Sequence, residues 1–160
     1  MTVCFLIIKD LAINACKVYM STKMNSEENW EENWEELLRS KDPELWELID
    51  LSELISKKEE KSKLEVSFLN ILESTSLQKN EGFVSFFTYT NEHDIIQYEK
   101  DAITFGLLEL AFKFRQLRKL FGVGEASIAF KKLEREIFDY CDQDYSSDFL
   151  KAVSEKEINA

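Results

Sequence analysis

The sequence predicts an all-α fold: a single compact helical bundle of five to seven helices with one long central helix at about 94–121. Three observations predict it. There are only four glycines and one proline in 160 residues, against usual abundances of roughly 7% and 5%, too few for the many turns of a sandwich or barrel. Apolar residues recur at three- and four-residue spacing through most of the chain. Twelve Phe, five Tyr and three Trp, within a hydrophobic fraction of 44%, supply a large core and exclude a disordered chain. Collagen-like, glycine-loop-rich and disulfide-framework classes are excluded by the same composition. The length suits one domain better than two, so residues 1–160 are read as a single helical domain.

Phe5, Ile8, Ala12, Ala15, Cys16 and Tyr19 recur at helical spacing and predict a first helix over 4–20. A short strand over Val3–Ile8 is the alternative. The segment is expected to be core, although Met20 and Met24 offer later starts that would make residues 1–23 an upstream extension. Asn25 to Glu28 reads as a variant capping box. Behind it Trp30, Trp34 and Leu37 line one face, and glutamates crowd the first turns, where a helix N-terminus favours negative charge. Asp42-Pro43 is the clearest start signal, a cap residue followed by proline at the first helical position. Leu45, Trp46, Leu48, Ile49, Leu51, Leu54 and Ile55 give that helix a wide apolar arc, which dissolves into the charged run at 57–61.

Ser62-x-x-Glu65 is a second capping box, followed by Leu64, Phe68, Ile71 and Leu72. Ser74-Thr75-Ser76 and Asn80-Glu81-Gly82 then punctuate the chain. Residues 83–90, FVSFFTYT, are the one window with strand-like alternation. A helix or a buried extended segment is preferred there over a two-stranded ribbon, because a lone strand has no partner except Val3–Ile8. From Asp94 to Phe121 the spacing is helical throughout, on Ile95, Ile96, Ala102, Ile103, Leu110, Phe114, Leu117 and Phe121, which amounts to about 42 Å if unbroken. Gly106 marks a kink or close packing within it, and Gly122 a stop. Ala126, Phe130, Leu133, Ile137 and Cys141 predict an amphipathic helix over Glu125–Cys141. An acidic loop over 142–148 and a short helix from about 147 to 158 end the chain.

The formal charge is −11. Residues 25–61 carry −8 of it, residues 123–160 carry −4, and residues 94–122 are +1. Such a surface repels phosphate backbones and anionic lipid; it serves solubility or receives a basic partner. Nucleic acid is disfavoured as a partner, no membrane is expected, and the oligomeric state is open. The N-terminal apolar runs are too short to span a bilayer and lack a cleavage site. Cys4, Cys16 and Cys141 form an odd, widely spaced set with no CxxC, which reads as free buried thiols in a reducing, cytoplasmic setting.

No chemical motif emerges. His93 is the only histidine and sits beside Glu92 and Asp94 at a helix start, as a polar cap residue does. No phosphate loop, GxGxxG or HExxH is present, and no Glu-x-x-His pair for a di-metal bundle. Asp142, Asp144, Ser146 and Asp148 imitate alternate calcium ligands, but the required glycine and the bidentate glutamate are missing. No catalytic residue, metal or cofactor is therefore expected.

Two surface constellations remain. Trp30, Trp34 and Trp46, with Glu31 and Glu35, are either core anchors on acidic helices or half-exposed interface residues ringed by acids, suited to a basic helix or an Arg-rich segment. Lys113, Arg115, Arg118 and Lys119 are either cations complementing a helix C-terminus or a local contact for an anion, acidic peptide or nucleic acid. In composition and helix count the chain resembles small helical interaction proteins, such as death-type inhibitors, phage or viral antagonists and toxin-neutralising immunity proteins, with no diagnostic motif. The expectation is a non-enzymatic acidic module that binds a basic protein and so inhibits or scaffolds it. An accessory factor in nucleic-acid metabolism, using the 113–119 patch, is the alternative.

Overall fold

The chain divides into two units, Met1–Lys41 and Asp42–Ala160. The computed structural model describes residues 36, 39–124 and 127–158, almost all in the second unit, and that unit is all-α. It has six helices among the described residues, α1 (Pro43–Ser56), α2 (Lys63–Tyr89), α3 (Glu92–Thr104), α4 (Leu108–Phe121), α5 (Ile128–Gln143) and α6 (Tyr145–Glu155), with no strand among them. The helix expected over 4–20 and the Trp30–Trp34 segment lie outside the described residues.

The start signals work as their chemistry requires. Asp42 Oδ1 accepts the Leu45 N–H at 2.9 Å with Pro43 at the first helical position. At α2 the capping box is complete: the Glu65 N–H donates to Ser62 Oγ at 3.2 Å, and the Ser62 N–H donates to Glu65 Oε2 at 2.6 Å. Asn91 caps α3 and Ser127 caps α5 in the same way. These bonds satisfy N–H groups that have no partner within the helix.

The long helix of the bundle is α2, 27 residues, rather than 94–121. Ser74, Thr75 and Ser76 run inside it, and the FVSFFTYT window is its last part, helical from Phe83 to Tyr89. Gly82, at φ 79°, kinks it there. The periodicity of 94–121 spans two helices. Gly106 adopts φ 73°, its N–H donates to the Ile103 carbonyl at 2.9 Å, and the Leu107 N–H donates to the Ala102 carbonyl at 2.9 Å. That pair of bonds is a Schellman termination, which needs a left-handed residue just past the helix end. The apolar stripe continues across the break because both helices face the same core. At the other end, the loop expected over 142–148 is a sharp junction in which only Asp144 separates α5 from α6.

Helices packed on one another are α4 with α5, α2 with α3, α3 with α4, and α1 with α6. The last pairing ties the unit's ends together, and Ser146 Oγ donates to the free oxygen of the Asp42 cap at 3.0 Å. The core is aromatic. Phe83, Phe86 and Phe87 from α2 surround Phe114 of α4, and Tyr98 of α3 lies 4.7 Å from Phe114 between ring centroids. A second group joins Phe68, Phe105, Tyr145 and Phe149 at 5.2–5.5 Å. Such offset and edge-on pairs add about 0.5–1.5 kcal/mol each beyond burial.

Candidate protein-docking surface

Helix α4 has two apolar faces. One, on Leu110, Ala111, Phe114 and Leu117, is buried. The other begins where the Gly106 turn swings the chain around. Leu107 fills the core at 2% exposure, which sends Leu108 outward at 63%. One turn later Phe112 is 60% exposed. With Ile103 at the end of α3 they line a groove of about 430 Å³, edged by Glu109 and Arg115. Ile103, Leu108 and Phe112 thus form an exposed apolar patch beside a helix that already buries its own stripe.

Glu109 also borders a neighbouring polar cleft of about 210 Å³ between α4 and the end of α5. Four carboxylates, Glu109, Glu136, Asp139 and Asp144, line it against one lysine, Lys113. The Lys113 ammonium sits 2.9 Å from Glu109 and 3.8 Å from Glu136. Its hydrogen bond to Glu109, more than the opposing effect of burial, holds its pKa above the usual lysine value. Tyr140, on the cleft wall, donates its hydroxyl to Asp148 Oδ2 at 2.9 Å. Burial first, and that bond second, push its pKa far up, so it remains a donor. An apolar groove thus runs into a cleft with surplus negative charge, the two sharing Glu109.

The basic cluster read from the sequence is largely internal chemistry. Glu99 is 7% exposed, and its two oxygens take the Arg115 side chain, with Nε at 2.6 Å, and Arg118 Nη2 at 3.4 Å. A carboxylate that deep in the α3–α4 interface needs such partners. Lys113 faces its own carboxylates, and Lys119 is exposed in the last turn of α4. The four cations therefore lie along one helix, three of them paired with glutamates. A second buried carboxylate, Asp101, has neutral donors instead: Ser67 Oγ, Asn70 Nδ2 and Gln97 Nε2 at 2.6–2.8 Å.

Of the tryptophan constellation, Trp46 lies half-buried on α1, while Trp30, Trp34, Glu31 and Glu35 lie outside the described residues. Cys141 is a free, buried thiol whose pKa burial pushes up to about 12. His93 is exposed at the start of α3, 3.4 Å from Asp94. Asp142, Asp144, Ser146 and Asp148 are divided between the end of α5 and the start of α6, and no metal-ligating cluster occurs among the described residues. No described helix is long and apolar enough to cross a membrane.

Sequence reasoning missed the groove. Ile103 shares the helical spacing of the core residues, and Leu108 and Phe112 fall off the Leu110–Phe114–Leu117 stripe. Their spacing of four was the available signal: an apolar pair one turn apart on the face opposite a complete stripe. No family model, curated protein or solved structure matches this chain.

Proposed function

We propose that this protein is a non-enzymatic interaction module whose α4 outer face receives a basic amphipathic segment of a partner protein, which it thereby inhibits or scaffolds. The observation that carries the reading is the continuity of the Ile103–Leu108–Phe112 groove with the carboxylate-rich cleft through Glu109. An amphipathic helix places apolar side chains along one stripe and Lys or Arg beside it. The apolar stripe matches the groove, and the cations match Glu136, Asp139 and Asp144. The net charge of −11 would speed encounter with such a segment and repel acidic ones. Phe112 is the natural anchor, since binding energy concentrates in a few central apolar or aromatic contacts.

The Trp30–Trp34 face is the competing location for the same function. The test is calorimetric titration of the full chain with a synthetic Leu/Lys amphipathic helical peptide, and with its Leu/Glu counterpart. Binding of the basic peptide alone is expected. It should weaken at least tenfold in Phe112→Ser and in Glu109→Lys/Glu136→Lys. A Glu59→Lys/Glu60→Lys variant, equal in charge but outside the lining of the groove and the cleft, should bind within about twofold of the original. If this control variant loses as much as the groove variants, attraction is unspecific and the reading fails. If only Trp30→Ala/Trp34→Ala loses binding, the groove is the wrong site.

A further inference from the structure

The α4–α5 hairpin carries its charges at opposite ends. Lys113 reaches Glu136 at 3.8 Å in the middle of α4, and the Phe121 and Phe130 rings meet at 6.4 Å at its end, so the two helices run antiparallel. Asp139 and Asp144 therefore lie towards the Glu109 end, in the acidic cleft. The exposed Lys119, Lys131 and Lys132 lie towards the other, against Glu134. Glu109 and Lys119 are separated along the helix by about 15 Å, nearly twice the Debye length of about 8 Å at physiological salt, so each end acts on its surroundings separately. Helix α4 holds four cations and one carboxylate, whereas every other described helix has carboxylates in excess. In a chain of net charge −11, α4 is thus where like-charge repulsion between two copies is offset.

The outer face of α4 runs between these two ends. Leu108, Phe112, Arg115 and Lys119 follow one another at three- and four-residue steps, which sets them on one stripe, apolar in its first half and cationic in its second. An exposed basic amphipathic helix is the partner chemistry read above, and the chain itself supplies one. Arg115 gives Nε and Nη2 to Glu99 yet stays 44% exposed, and a guanidinium has further donors. We infer that the occupant of this face is the α4 helix of a second copy of the chain, in an antiparallel two-fold pair centred on Phe112. The inference rests on the reading of that face as the docking surface and names what covers it. A two-fold contact must be self-complementary, and this face is. Antiparallel pairing lays the Arg115–Lys119 half of one α4 over the Leu108–Glu109 half of the other. Phe112 then meets its own copy, and Lys119 comes level with the acidic cleft of the opposite copy. A parallel pair would set Lys119 against Lys119 and cleft against cleft. Six residues line the groove, against about 20–30 a side in a stable interface, so the pair is weak. It covers Phe112 and yields to a better-matched helix.

Sedimentation equilibrium of the full chain, from about 1 μM to 1 mM, covers the range of weak complexes. The mass should climb from monomer towards dimer. Phe112→Ser should raise the dimer Kd about tenfold or more, whereas Val123→Ser/Ile128→Ser, which removes exposed apolar residues outside the groove, should leave it within about twofold. Lys119→Glu and Glu109→Lys/Glu136→Lys should each stay monomeric, and an equal mixture of the two should associate, because each now presents the charge the other lacks. Should Phe112→Ser not fold, the charge-reversed pair decides alone. A chain that is monomeric throughout, a dimer indifferent to Phe112→Ser, or a mixture that associates no better than its components would overturn the inference. The Leu/Lys peptide separates this from the parent reading. A chain that binds the peptide and never dimerises overturns the second copy as occupant and leaves the docking face standing. A dimer that Phe112→Ser abolishes, in a chain that ignores the peptide, supports the second copy and overturns the foreign partner.

Discussion

Phe114 and Phe112 lie two residues apart on α4, and they have opposite fates. Phe114 is 0% exposed, ringed by Phe83, Phe86, Phe87 and Tyr98. Phe112 is 60% exposed on the groove. Folding requires the inner face, because aromatic burial supplies much of the stability of a small domain. It gains little from the outer face, where a polar residue would serve solubility better. The contrast separates the face that holds the protein together from the face left exposed.

Removing the inner ring should have the largest effect. Phe114→Ala is expected to cost about 3–5 kcal/mol, enough to unfold a marginal domain, as read by urea denaturation. Glu99→Gln comes next. It leaves Arg115 and Arg118 facing a neutral group, and because both arginines are partly exposed, at 44% and 32%, the cost should be about 1–2 kcal/mol. Gly106→Ala tests the corner that turns Leu108 outward. A Cβ there meets nothing within 4 Å, so only the left-handed backbone is penalised, by about 1–2 kcal/mol, seen as a lower thermal midpoint.

The α2 cap gives a smaller, pH-dependent effect. The Lys58 hydrogen bond, then those with Ser62, lower the Glu65 pKa from 4.5 to about 2. A depressed folded-state pKa means that this contribution is complete above about pH 4.5 and is lost as pH falls towards 2. Glu65→Gln should therefore flatten the acid limb of stability in that window and leave its shape near neutral pH unchanged. Phe112→Ala should have the least effect on folding, within about 0.5 kcal/mol, while it weakens peptide binding.

The fold was legible where local chemistry decides. Asp42-Pro43 and Ser62-x-x-Glu65 each marked a helix start to the residue, because a cap is a contact over three positions. Periodicity found the helices but not their breaks. Gly106 was noticed, yet spacing cannot distinguish one helix from two that share a core, and only the positive φ does so. The same limit hid the continuation of α2 through Ser74-Thr75-Ser76, where hydroxyls bond within and between helices, Thr75 to Tyr98 among them. The candidate site was less legible still. Arg115 and Arg118 looked like a surface patch because their counter-ion, Glu99, lies on another helix, 16 and 19 residues away. Phe112 drew no reading because sequence does not say which of two faces the bundle will cover.

The central claim is that the outer face of α4 is the docking surface, and amide chemical-shift mapping tests it most directly. The 15N-labelled full chain would be titrated with the Leu/Lys amphipathic peptide. The account predicts saturable shifts centred on Ile103, Leu108, Glu109 and Phe112, extending to Glu136 and Asp139, and abolished in Phe112→Ser. Shifts centred on Trp30 and Trp34, or spread evenly over the acidic surface and unchanged in Phe112→Ser, would contradict it.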